Sequence, residues 1–462
     1  MPGGSRSPGI FLGDAWRLAS SIVLCGLRMQ PHPRPYTLST KLTTAITLLL
    51  AVALLLTYPA TSEAFSVLAH QAIVDQAWKD TLVPLIRKRF PDTSEQDLAE
   101  ARGYARGGSH LPDLGYFPLG NHLFTDLLHY VRTGDFVSRL VAEAGSAQEY
   151  AFALGVMAHY EADAIGHPLA TNLAVPIIYP DLEAKFGDSV TYAQDSSSHL
   201  QTEFRFDVLQ VAHRGEVPEL YEHSVEFQVP KEFLDRVFKE TYGLGLTDLF
   251  ENFDAALVTY RWGFRVLIDE GTGIAWQLYR SDIETLEPGM IRKNFMPTMS
   301  RDDFQQQFGK AFLEPGYFAR FIGVVGNLFP NVGPFARLPY KPLPENVRVL
   351  YFGAFHKASE QYHRELAKAA SHQLELPNLT LDTGLPERAG AYPPGDKTYA
   401  ELLRLHEKDH FARVPKALAD DLQKHFKDRD AALKNIDDEK DQRETSSALD
   451  EFEAAMKQHL PQ

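Results

Sequence analysis

Apolar residues recur at intervals of three and four along most of the chain from about residue 70, and strand-like alternation is scarce. That spacing lines one face of a 3.6-residue helix. It predicts helices over 70–90, 94–106, 146–167, 196–213, 231–241 and 248–269, and so an all-α main domain. Pro168 directly follows His167, and a residue before proline is pushed away from helical dihedrals. His167 is therefore expected at or just past the end of the His159 helix, free to turn away from its face.

Beyond about residue 329 the texture changes. Pro330, Gly333-Pro334, Pro339, Pro342 and Pro344 make a turn-rich connection. A helix is predicted over 345–374, then an irregular Pro/Gly stretch over 377–397 and a charged helical tail from Thr398. The run 437–444 reads as a solvated helix face or a frayed end. The expected division is an amino-terminal extension with a signal peptide (1–64), a main domain (65–335) and a helical C-terminal extension of unassigned role (336–462). There is no internal repeat.

Lys41 precedes the apolar run 45–56, which is followed by Tyr58-Pro-Ala and the small-residue site Ser62-Glu63-Ala64. This is the order of a secretory signal peptide cut after Ala64, and it implies a secreted or periplasmic protein. A membrane span needs roughly twenty apolar residues, so an uncleaved anchor is the weaker reading. Met29 competes with Met1 as the start, because the segment before it is long for an n-region. Cys25 is the single cysteine and lies upstream of the cut. Cations bound by the mature chain would thus be held by nitrogen and oxygen. The formal charge of −15 argues against a general affinity for polyanions, leaving no strong nucleic-acid signal. It leaves room for an anionic substrate held through bound cations. Nothing in the sequence marks an oligomeric state.

Two helical segments carry the candidate chemistry: His159-Tyr-Glu-Ala-Asp163-Ala-Ile-Gly-His167 and His199-Leu-Gln-Thr-Glu203. Residues one helical turn apart share a face, so His159 with Asp163, and His199 with Glu203, can each meet one cation. Ordinary i,i+4 hydrogen bonds on solvated helices are the competing explanation. The apolar approach Leu154-Gly-Val-Met-Ala158 turns the first pair toward the core, where ionisable groups need partners. Asp113, in the turn-rich Gly107-Gly-Ser-His-Leu-Pro-Asp113, together with His129 and His70, adds donors for more than one cation. His122 competes with His129, and the apolar Leu127-Leu-His129-Tyr favours His129. Asp126, Asp135 and Asp207 are supporting candidates.

In this order (His70, Asp113, His129, His159/Asp163, His167, His199/Glu203) the chain resembles the zinc-dependent phospholipase C family, whose helical fold is shared with zinc-dependent single-strand nucleases. The resemblance covers roughly residues 65–207, and more weakly the helices to about residue 278. It implies a multi-helix phospholipase C/nuclease-type domain holding three Zn2+ ions. One would take Asp113, His129, His159 and Asp163. A second would take the backbone of a mature amino-terminal Phe65 with His70 and a shared Asp163, and a third His167, His199 and Glu203. Phe stands where the family usually has Trp, but backbone ligands do not depend on the side chain. The short step from Asp163 to His167 looks more like glycosylphosphatidylinositol-specific phospholipase D. Phosphodiester hydrolysis follows, with a hydroxide shared between two metals as the attacking group and Asp113 as the assisting base. The implied activity is that of a secreted phospholipase C cleaving phospholipid head groups, with a phospholipid or other phosphodiester as substrate and a membrane surface as a possible contact. A nuclease or another phosphodiesterase of this fold, and a non-catalytic zinc-stabilised protein, are the alternatives.

Overall fold

The computed structural model describes residues 67–212, 227–265 and 343–459. The helices are α1 (Val67–Ala77), α2 (Val83–Arg89), α3 (Glu95–His110), α4 (His122–Tyr130), α5 (Thr133–Glu143) and α6 (Ala147–Gly166). Next come α7 (Asn172–Ile178), α8 (Pro180–Phe186), α9 (Ser196–Ala212), α10 (Lys231–Tyr242), α11 (Leu246–Leu249) and α12 (Phe253–Arg265). The C-terminal part holds α13 (Glu345–Ala370), α14 (Pro393–Glu407), α15 (Lys416–His425), α16 (Arg429–Leu433) and α17 (Glu439–His459). The one sheet among the described residues is an antiparallel pair, β1 (Leu379–Thr380) and β2 (Leu385–Pro386). The all-α expectation holds.

Helix α6 is central because it has almost no solvated side. Tyr150, Phe152, Leu154, Val156, Met157 and Ala158 are buried, and so are His159, Glu161 and Asp163. A helix buried all round belongs inside a bundle, and α1, α3, α5 and α13 surround it. Its start is set by Ser146, whose hydroxyl accepts from Glu149 N, while Glu149 accepts from Gly145 N. Helix α3 begins with a full capping box of Ser94 and Asp97.

The contact between α3 and α6 is made by glycine. A methyl group on Gly155 would stand 1.9 Å from the Ala105 carbonyl oxygen, and one on Gly108 2.0 Å from that of Phe152. Only residues without a Cβ let two backbones meet this closely. The approach brings the Ser109 carbonyl to 3.0 Å from His159 Nδ1, one turn beyond Gly155. Glycine spacing thus sets where a functional histidine sits.

The C-terminal segment shares this core. Tyr362 of α13 donates its hydroxyl to the Leu154 carbonyl at 2.9 Å, and Tyr160 of α6 donates to that of Pro377 at 2.7 Å. Leu379 exchanges two 2.9 Å hydrogen bonds with the Thr133 hydroxyl, and Leu381 N donates to the His129 carbonyl at 3.0 Å. The described residues group as one compact unit. The expected boundary at 335/336 and the expected amino-terminal extension with a signal peptide lie outside the described residues. Among those residues no helix is long and apolar enough to cross a membrane.

Pro168 does not stop the helix as its sequence context predicts. His167 keeps helical dihedrals (φ −59°, ψ −60°), and the chain passes through a π turn, His167–Thr171, into α7. Pro168 has no N–H for the i−4 carbonyl, and the wider π turn accommodates the lost bond. The Ala164 carbonyl, left without that partner, faces Gly384, which sits at φ +65° with no room for a side chain. A second π turn, Trp78–Leu82, interrupts the helix predicted over 70–90 just before Pro84. The spacing gave no warning of α4 and α5, which are short.

Two glycine substitutions test this packing by denaturant unfolding. Gly155→Ala should lower stability by about 1–3 kcal/mol through overpacking. Gly353→Ala, on the open face of α13 where an added methyl meets nothing within 4 Å, should raise it by roughly 0.5–1 kcal/mol. Equal effects would refute the role given to the α3–α6 contact.

Candidate metal centre

Each candidate side chain comes from a different part of the bundle. His70 lies in the first turns of α1; Asp113 lies in the 3-10 turn Leu111–Tyr116 after α3; His129 lies near the end of α4. His159 and Asp163 are successive turns of α6, His167 opens the π turn, and α9 carries His199 and Glu203. All eight are buried. Of the other residues singled out in the sequence, His122 is exposed at the start of α4. Asp207 accepts from Leu68 N at 2.9 Å in the helix that carries His70, and Asp135 pairs with Arg132. Burial pushes the Asp126 carboxyl up to about 7. Phe65 lies outside the described residues.

Hydrogen bonds to carbonyls decide which imidazole nitrogen is bare. His129 Nδ1 is 2.8 Å from the Thr125 carbonyl and His159 Nδ1 is 3.0 Å from that of Ser109. A carbonyl only accepts, so both Nδ1 atoms carry hydrogen and both Nε2 atoms are turned to the interior, where they face carboxylates. Those two Nε2 atoms are 3.2 Å apart. His199 Nε2 is 2.8 Å from Asn172 Oδ1, which turns its Nδ1 toward Glu203 Oε1 at 2.7 Å. Lone pairs and carboxylate oxygens face one another, and a proton or a cation must lie between them.

Asp163 is the hub. Its Oδ1 lies 2.9 Å from His70 Nε2 and 3.6 Å from His167 Nε2; its Oδ2 lies 3.0 Å from His159 Nε2 and 3.3 Å from His129 Nε2. Asp113 Oδ1 completes one side, 3.5 Å from His129 Nε2 and 4.0 Å from His159 Nε2. His167 Nδ1 stands 3.7 Å from Glu203 Oε1, joining the α9 pair. Three groups have donor atoms close enough to share an ion: His70/Asp113/His159, His129/His159/Asp163 and His167/His199/Glu203.

The residues fit zinc on chemical grounds. The donors are imidazole nitrogen and carboxylate oxygen, both zinc ligands. Neither oxygen of Asp113 or Asp163 and neither ring nitrogen of His70 makes a hydrogen bond, and an uncompensated buried carboxylate is costly. Burial opposes the charge on Asp163, yet the imidazoles around it hold its carboxyl well below the usual range. Burial, with His159 nearby, pushes His70 well below the ordinary imidazole value, and burial with His167 does the same to His199. Burial would lower His129 too, but the Asp113 and Asp163 carboxylates overcome it and hold that ring well above its ordinary value. In the metal-free protein His129 is thus the group that keeps a proton between the carboxylates.

Sequence spacing leaves two contributors unmarked. Asn172 orients His199, and Asp382, from the C-terminal segment, brings Oδ1 to 4.0 Å from His167 Nε2. The only hint of Asp382 is an Asp-Thr-Gly turn between two leucines, far from every other candidate.

Zinc must displace the His129 proton. Loading metal-free protein near pH 7 should release about one proton or more per chain. Zinc affinity should keep rising with pH above about 6.5, the ordinary imidazole value, because the raised histidine competes there. Loading without proton release, read with an indicator dye, would contradict this charge arrangement.

No curated protein and no solved structure matches the chain. The family model for zinc-dependent phospholipase C matches residues 69–252, the stretch that carries all eight of these side chains. Over that stretch the chain is similar to the zinc-dependent phospholipase C family.

Proposed function

We propose that this chain is a zinc-dependent phospholipase C that is exported with a signal peptide cut after Ala64 and cleaves phospholipid head groups with three zinc ions. The observation that carries the reading is the division of Asp163, whose two oxygens face different imidazoles. One ion would be held by Asp113, His129, His159 and Asp163, and one by His70, Asp163 and the backbone of Phe65. The last would be held by His167, His199 and Glu203. Export has support in the order Lys41, apolar run, Ser62-Glu63-Ala64. The same cut would leave Phe65 as the amino terminus, five residues before His70.

Bound zinc supplies an acidified water and positive charge against the phosphoryl oxygens. The protein's own groups do the rest. Asp113, with both oxygens free of hydrogen bonds, would take the proton as water oxygen bonds to phosphorus, and would return it to the glycerol oxygen as the bond from phosphorus to that oxygen breaks. The products are diacylglycerol and a phosphorylated head group. The Thr125 and Ser109 carbonyls keep His129 and His159 in the tautomer with Nε2 bare, and Asn172 does the equivalent for His199.

Three measurements test the proposal. Zinc-loaded protein should release phosphocholine from lecithin micelles; free choline would indicate D-type cleavage, and nucleotides from denatured DNA a nuclease. By elemental analysis, Asp163→Asn should lose two zincs per chain and Glu203→Gln one; equal single losses would refute the shared carboxylate. Sequencing of exported protein should begin at Phe65, and any other terminus removes the backbone ligand.

A further inference from the structure

We propose that Glu387 and Asp421 share one proton across the hydroxyl of Tyr399, and that this proton latches the C-terminal helices α14 and α15 onto the turn between α4 and α5. Tyr399, in α14, is buried, and its Oη lies 2.8 Å from Glu387 Oε2 and 2.7 Å from Asp421 Oδ2. A phenol has one hydrogen and can donate it along only one of these contacts. With both carboxylates ionised, the other contact would press two lone-pair-bearing oxygens together. One more hydrogen is therefore required. Burial, then the Glu387 and Asp421 carboxylates, push the Tyr399 phenol well above its ordinary value, so the phenol keeps its own hydrogen. The extra proton belongs to the carboxyl pair. Every contact is satisfied when the Glu387 carboxyl donates to the Tyr399 oxygen and the Tyr399 hydroxyl donates to the Asp421 carboxylate. Burial first, and Asp421 second, push the Glu387 carboxyl up to about 8, against the pull of Tyr399 and two backbone amides.

The junction joins four segments. Glu387 directly follows β2, Tyr399 and Asp421 come from α14 and α15, and the two amides that Glu387 accepts from, Arg132 N at 3.1 Å and Thr133 N at 3.3 Å, open α5. Arg132 stands there in the left-handed region, at φ +52°, so Glu387 secures a turn that the chain does not adopt readily. Its guanidinium is engaged by Asp135 and the Thr241 carbonyl rather than by Glu387. His425, one turn beyond Asp421, stacks on the Tyr399 ring with centroids 3.7 Å apart and directs Nε2 to Asp396 Oδ1 at 3.2 Å. Tyr160 of α6 and Tyr242 of α10 lie within electrostatic reach of Glu387, and Arg388 and Lys424 line the cleft into which the pair opens. Loss of the shared proton would leave two negative charges on either side of one buried phenol, which favours separation of the segments that carry them.

The test uses the full chain and reads protons rather than turnover. In the folded protein the pair keeps its proton up to about pH 8, whereas carboxyls of the unfolded chain lose theirs at about pH 4. The folded state binds one more proton across that window, so this contribution to stability falls as pH rises through it and is gone above it. Asp421→Asn removes the need for the proton, because its amide donates to the Tyr399 oxygen while the Tyr399 hydroxyl donates to an ionised Glu387. In urea unfolding at a fixed excess of zinc, the folding constant of the unsubstituted protein relative to this variant should fall about tenfold per pH unit between roughly pH 5 and 7.5. Infrared difference spectra should show a protonated-carboxyl band that titrates out near pH 8 and is missing from Asp421→Asn. Glu387→Gln should remove the same band, and it serves if Asp421→Asn does not fold. Above pH 8 the amides of Arg132 and Thr133, corrected for their intrinsic rates, should exchange hydrogen faster in the unsubstituted protein only. Parallel stability curves or an undiminished carboxyl band would overturn the shared proton, and unchanged exchange at these amides would overturn the latch.

Discussion

Asp113 and Asp163 lie fully buried, surrounded by imidazoles whose Nε2 atoms point at them. Negative and lone-pair-bearing groups at this density repel one another in a low-dielectric interior, and only protons or cations relieve them. The rest of the bundle holds that arrangement in place. Carbonyls of Thr125 and Ser109 fix the histidine tautomers, and the glycine contact of α3 with α6 puts the Ser109 carbonyl where it is needed. The free energy that packs α6 at the centre also pins its polar residues where zinc can offset the cost of their burial.

The continuation of the helix through Pro168 has a functional consequence. Had the chain turned off after His167, Asn172 would not stand five residues further on, hydrogen-bonded to His199 through Oδ1 and to the Asp382 carbonyl through Nδ2. The π turn keeps the backbone helical where an ordinary turn would need the amide that proline lacks. It also leaves the Ala164 carbonyl facing Gly384. A local defect at the end of α6 and a glycine far along the chain are therefore parts of one contact.

The C-terminal segment is part of the wall of the centre. Pro377, Leu379, Leu381 and Asp382 bond to residues of α4, α5, α6 and α7, while α13 covers α6 from outside. The family match ends at residue 252, yet the residues that close the His167 side come from beyond it. The stretch that the family model matches thus carries the eight buried donors, and part of their surroundings is supplied from beyond it.

Much of this was legible in the sequence, and for a local reason. A helix fixes which residues share a face, so His159 with Asp163, and His199 with Glu203, were readable as pairs, and the apolar run before His159 already pointed the first pair inward. The all-α class followed from the same periodicity. Other relations depend on segments distant in the chain, which no periodicity encodes. Tertiary structure alone decided that Asp163 divides its oxygens between imidazoles, that Pro168 is absorbed by a π turn, and that Asp382 reaches His167. Spacing along one helix is set by backbone geometry; contact between helices is set by packing, and packing is a property of the whole fold.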